Sequence, residues 1–146
     1  MSDDEGAIRA LIGERIAALR ERNGPRAVAV LAPDIVAFEL APPLVADGAA
    51  DAAAAQAWLD GFEGPVETEM RDLTLHVCGD VAFCHSLNRL RATRKSGGAV
   101  DLWMRSTLGL RKRDGVWTIV HGHTSVPFRM DGSFTAALDL EPESLP

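Results

Sequence analysis

The sequence predicts an α+β fold, with helices packed on one face of an antiparallel meander. Three observations predict it. Ile8, Leu11, Ile12, Ile16 and Leu19 recur at helical spacing and give an N-terminal helix one apolar face. From Val66 to Pro127 the chain reads as long β-branched and aromatic runs separated by short turn signals. In the last run, VDLWMRSTLGLRKRDGVWTIVHGHTSVP from Val100 to Pro127, Asp114-Gly115 supplies the positive φ that a two-residue hairpin demands.

The first helix spans Ser2 to Asn23, with Ser2 and Glu5 at capping-box spacing. Arg9, Glu14, Arg15, Arg20 and Glu21 take its remaining faces, and Asn23-Gly24 ends it. Pro25 suits the first turn of a short second helix to about Ala32, and Pro33 stops it. Asp34 to Leu40, DIVAFEL, is a strand broken by Pro42-Pro43, and Leu44 to Ala50 is a loop. Asp51 caps a third helix to about Phe62, with Trp58, Leu59 and Phe62 facing inward. Val66 to Val77, Val81 to Arg94 and the final hairpin make the rest of the sheet, turned at Cys78-Gly79-Asp80 and Ser96-Gly97-Gly98. The tail from Phe128 to Pro146 has no period and reads as an arm, ordered at first and frayed at its end. Residues 1–127 form one domain and residues 128–146 the arm. Long, strongly twisted strands curl around their helices and leave a pocket.

A chain of 146 residues, 47% apolar, fits one globular domain with an ordinary core. A formal net charge of −6 argues against a nucleic-acid surface. No apolar run is long enough to span a bilayer, and MSDDEGAIRA is too acidic for a signal peptide. Cys78 and Cys84 are too few for a disulfide framework, so a cytoplasmic protein with reduced thiols is expected.

The segments PDIVAFEL, RDLTLHVCGDVAFCHSLNRL and RKRDGVWTIVHGHTS resemble the nuclear transport factor 2-like superfamily. Asp114-Gly115-x-Trp117 followed by Val120-His121-x-His123-x-Ser125 is the most specific part, and the resemblance runs from about Ile8 to Pro127. Within the superfamily the chain is most similar to SnoaL-like, ketosteroid isomerase-like proteins and to the association domain of calcium/calmodulin-dependent kinase II. The resemblance implies a cone-shaped, strongly curved antiparallel sheet of the cystatin-like type, with three N-terminal helices on its concave face. It also implies a homodimer formed through the sheet. The superfamily holds enzymes and non-enzymatic assembly modules, so the fold alone does not choose a function.

Glu39 falls where ketosteroid isomerases place their catalytic base, by that resemblance. A carboxylate in an apolar pocket takes a proton near neutral pH. Trp103, Arg105 and Thr107 share a strand face by the period of two. If Arg113 faces Val116 across a two-residue turn, Arg105 falls opposite Thr124 and Thr107 opposite Gly122. By the resemblance this is the inner face, where Arg105 pairs with Glu39 or orients a ligand carboxylate. His121 and His123 then lie on the opposite, convex side, and a three-residue turn would bring them inside instead. An HxH pair can chelate a metal, but no second metal-type cluster accompanies it, so no metal or cofactor is assigned. Asn88 aligns with an arginine of the kinase association domain's acid-binding pocket, and its identity speaks against that pocket here. The absence of tyrosine speaks against steroid isomerisation, because the enolate would lack its phenol donor.

The sequence thus leads to a cone pocket lined by Glu39, Trp58, Phe62, Asn88, Trp103, Arg105, Thr107 and His123. It would take a small, mostly apolar organic molecule carrying a polar group. Glu39 is the candidate general base and Arg105 the orienting cation of a cofactor-free lyase or isomerase. The alternative is a non-catalytic ligand-binding or self-association module. Neither reading involves nucleic acid or membrane.

Overall fold

The structure, a computed structural model, describes residues 2–143. The elements run α1 (Asp3–Arg20), α2 (Gly24–Ala29), β1 (Leu31–Phe38), α3 (Ala52–Leu59), β2 (Phe62–Cys78), β3 (Val81–Arg94), β4 (Ala99–Arg113) and β5 (Val116–Ser125). The strands form a curved, open sheet in the order β1-β5-β4-β3-β2. Neighbours are antiparallel except β1, which runs parallel to β5 along one edge. No helix among the described residues is long and apolar enough to cross a membrane.

Local chemistry sets the element ends. Ser2 Oγ accepts from Glu5 N at 3.1 Å, and Asp51 accepts from Ala53 N and Ala54 N, so both helices begin on side-chain caps. Gly24 opens α2 because a Cβ there would come within 2.7 Å of the Gln56 backbone on α3. The strand edges correct the sequence reading. β1 starts at Leu31 and runs through Pro33, and β2 starts at Phe62 and runs through Gly64-Pro65. Both prolines lie in edge strands, where a missing N–H costs no ladder bond, and both lie where the register breaks.

The hairpin turns as expected: Asp114 and Gly115 both take positive φ, 52° and 80°, and Arg113 pairs with Val116. Further along, Leu110 pairs with Ile119 but Gly109 pairs with His121, leaving Val120 as the extra residue of a β-bulge. Beyond the bulge Arg105 pairs with Ser125 and Thr107 with His123, not with Thr124 and Gly122. A second irregularity, around Asp72 at φ 58°, bends β2.

The concave face of the sheet packs on the helices through two separate apolar clusters. One gathers Ile8, Ile12, Val28, Cys84, Leu110 and Ile119, with Trp117 at its end. The other gathers Leu59, Phe62, Val66 and Ala92, with Leu19, Leu90 and Val100 against it. The Asp4 carboxylate pins α1 to the turn end of the sheet, accepting from Trp117 Nε1 at 2.9 Å and Lys112 Nζ at 3.0 Å. The arm is ordered where Phe128 bridges Ala136 and Ala137 N donates to the Pro127 carbonyl at 2.8 Å. The expected fraying at Ser144 to Pro146 lies outside the described residues.

Candidate functional site

Between the two clusters the inner face of the sheet turns polar. On β3, Ala82 and Cys84 belong to one cluster and Leu90 and Ala92 to the other, and Ser86 and Asn88 lie between them. Ser86 pairs with Ser106 on β4, and Ser106 with Thr124 on β5. The β1–β5 register ends at Phe38 opposite His123, and one further step puts Glu39 level with Thr124. Ser86, Ser106 and Thr124 therefore form one row across three strands, and Glu39, one residue past the end of β1, continues it at the edge. Ser86 and Ser106 are buried, and Ser86 Oγ donates to Asn88 Oδ1 at 2.9 Å.

The helix side supplies Arg15. On α1, Ile8 and Ile12 enter one cluster and Leu19 packs on the other, so Arg15 occupies the core-facing stripe between them. Its placement among the outward residues in the sequence reading is corrected here. Arg15 Nη1 donates to the Ala27 carbonyl at the end of α2. Burial pushes the guanidinium below its ordinary value, and the charge of Glu39 pulls it back up.

A cleft of about 750 Å3 opens where β1 and β5 end, lined by Phe38, Glu39, Leu44, Val45, His123 and Thr124. Glu39 and Thr124 are common to the polar row and the cleft, so the row reaches solvent there. Glu39 is itself exposed, at the rim.

Of the residues expected in the pocket, Glu39 and Asn88 share the inner face. Trp103, Arg105 and Thr107 do not: they belong to the outer face, paired with Arg89, Ser125 and His123. Arg105 Nε donates to Ser125 Oγ at 3.2 Å and lies on the opposite face of the sheet from Glu39. The expected pairing of these two residues fails because the bulge at Val120 shifts β5 by one, and because the helices cover the even-numbered side of β4. Trp103 Nε1 is buried without an acceptor among the described residues. His123 lies on the outer side, as a two-residue turn predicts, and not in the interior lining where it was also expected; it edges the cleft from there, its ring 5.5 Å from Phe38. Phe62 is buried in the second cluster, and Trp58 stands half exposed against it, ring centroids 5.0 Å apart. Cys84 is buried, which pushes its thiol up, as suits packing rather than nucleophilic attack.

The outer face gathers all four histidines. His85, Thr107, His123 and Phe38 form one row, and His76, Phe83, Gly109, His121 and Val36 the next. His121 Nδ1 contacts the Val36 carbonyl at 2.6 Å, and Phe83 stacks on His76 at 4.6 Å. Val36, Val81 and Phe83 are about half exposed there, at 47%, 52% and 49%.

A curved, mostly antiparallel sheet covered on one side by N-terminal helices is the cystatin-like, nuclear transport factor 2-like fold. The chain belongs to the SnoaL-like domain family, whose model matches residues 8–129. It is similar to a nuclear transport factor 2-like protein of unknown function from Pseudomonas putida, at 35% identity and TM-score 0.82, covering 95% of this chain and 96% of that one. A calcium/calmodulin-dependent protein kinase II association-domain-like protein from Xanthomonas campestris is 25% identical at TM-score 0.67, covering 81% and 84%. A ketosteroid isomerase-like protein from Erwinia carotovora atroseptica shares the fold at TM-score 0.69 with 20% identity, covering 86% of this chain and 97% of that one. No curated protein matches the sequence significantly.

Proposed function

We propose that the protein binds a small organic molecule inside the cone and that Glu39 acts on it as a general base, with no cofactor. The observation that carries this reading is the position of Glu39, at the end of the Ser86–Ser106–Thr124 row and on the rim of the cleft. A carboxylate there can take a proton from carbon next to a carbonyl. The electron pair moves onto the carbonyl oxygen, which the row's hydroxyls can meet as donors. Returning the proton at another carbon is an isomerisation, and loss of a leaving group instead is an elimination. The ketosteroid isomerase-like neighbour supports this class. Serine and threonine are weaker donors than a phenol, which favours substrates more acidic than a steroid ketone.

The test is solvent deuterium exchange at the α-carbon of a panel of small ketones and enones, followed by NMR. Acceleration by the wild type, lost by about 100-fold or more in Glu39→Gln, is expected for a general base. Exchange no faster than buffer, or undiminished in Glu39→Gln, overturns the base.

A second reading, self-association, is favoured by the outer face. Its two central rows carry exposed apolar groups and no carboxylate or lysine, so a second copy can meet them across a two-fold axis without like charges opposed. Sedimentation should give a dimer for the wild type and a folded monomer for Phe83→Glu. A monomeric wild type ends this reading.

A further inference from the structure

We infer that the outer face is a pH-gated interface between two copies of this chain: they associate through it while its histidines are neutral and separate when those histidines take up protons. This rests on the self-association reading of the same face and adds its regulation.

All four of the chain's histidines stand on two adjacent rows of that face. His85 and His123 flank Thr107 on one row, and His76 and His121 lie on the next. The rings of His76 and His85 are 6.2 Å apart, centroid to centroid, and those of His121 and His123 6.5 Å. Val36, Phe38 and Phe83 share the two rows with them, so a surface that covers the apolar groups covers the imidazoles too. A neutral imidazole suits such a cover, and a charged one must be hydrated or paired. Histidine is the side chain that makes this change between about pH 5 and 8.

The face holds little to pair with the added charge. None of the four histidines forms an ion pair among the described residues. Cations flank them instead. Arg71 and Arg105 stand on the row beyond His85, and Arg111 on the row beyond Phe83, beside Val81 and Cys78. These three arginines also lack an ion-pair partner among the described residues. At the margins Asp34 is held by Arg113, at 3.0 and 3.3 Å, and its charge also reaches Arg111. Asp101 and Glu69 are held by Arg89, on which Glu141 of the arm also acts. Two further carboxylates are unpaired: Asp72 at the bend of β2, and Glu39 on the cleft that His123 edges. The three unpaired arginines outnumber them, so four imidazolium groups would meet no surplus of negative charge. Across a two-fold axis each of those charges faces a second copy of the same set.

Protonation leaves the single copy intact. His76, His85 and His123 are exposed there and stay hydrated. His121 Nδ1 meets the Val36 carbonyl at 2.6 Å, an oxygen that only accepts, so Nδ1 carries the hydrogen and the added proton goes to Nε2. The contact between β5 and β1 is kept, and the contact between copies is the one that weakens.

Sedimentation equilibrium of the full chain at constant ionic strength, from about pH 8 to about pH 5.5, tests this. The dimer should weaken at least about tenfold over that range, with circular dichroism unchanged. A single position held neutral in both copies, one pH unit below where its side chain titrates, already weakens association about 100-fold. Raising the salt to about 0.5 M should shrink the effect. Diluting the wild-type dimer near pH 6 should take up protons, read as a heat that depends on the buffer's ionisation enthalpy, and this readout needs no variant. The variant His76→Gln/His85→Gln/His123→Gln leaves His121 at its strand contact and should stay dimeric across the range with most of the pH dependence gone. A wild-type dimer equally tight at both ends, dilution without proton uptake, loss of secondary structure alongside the dimer, or a pH dependence undiminished in the variant overturns the gate and leaves self-association standing. A wild type that is monomeric at pH 8 ends both.

Discussion

The two faces of the sheet are built from the same strands and differ in almost every physical respect. The inner face alternates apolar, polar, apolar along β3, and its polar stretch lies under a helix that brings one arginine to it. The outer face carries the chain's four histidines, open aromatic rings and arginines paired at the sheet's far end, with no helix over it. The difference teaches that the sheet does two jobs at once: inside it encloses chemistry, and outside it offers a surface. Residues one apart in sequence, such as Ser106 and Thr107, belong to different jobs.

The comparison breaks most sharply at Leu110. It is fully buried on the inner face, and Leu110→Ala should cost about 3 kcal/mol in denaturant unfolding. A loss below about 1 kcal/mol would mean that the inner face is not the packed one.

A smaller effect is expected at Asp4, which fastens α1 to the inner face. The hydrogen bond from Trp117 and then that from Lys112 hold its carboxyl below the usual carboxylate range. A carboxyl depressed in the folded state contributes stability that is complete above its unfolded value and lost as pH falls through its folded one. The melting temperature of the wild type should therefore fall more steeply below about pH 4 than that of Asp4→Asn. Parallel curves would remove Asp4 from the account.

The smallest effect is expected at Arg105. It is exposed, and its hydrogen bond runs only to Ser125. Arg105→Ala should change stability by no more than about 0.5 kcal/mol and leave the deuterium exchange unchanged. Loss of exchange would move the ligand site to the outer face and reverse the assignment of the two sides.

Much of this fold is legible in the sequence because its signals are local. The Ser2 and Asp51 caps, the Asp114-Gly115 turn and the limits of β3 each depend on a few neighbouring residues. The site is less legible because it depends on parity carried over distance. A uniform pairing from a correct turn misplaces Arg105 and Thr107, since nothing in Ile119-Val120-His121 announces that Val120 is extra. Arg15 is misread for a different reason. Its charge suggests a solvated face, while its position, three after Ile12 and four before Leu19, continues the apolar stripe. Ser86 and Ser106 look unremarkable until the sheet sets them side by side.

Val120 also governs how residue roles pass between relatives. A relative whose β5 runs without a bulge is one residue shorter at this point, and a gap belongs opposite Val120. An ungapped alignment anchored at the hairpin turn would carry His121 and His123 to interior positions and send Gly122 and Thr124 outside. Any role then borrowed from such a relative would land on the wrong wall of the sheet.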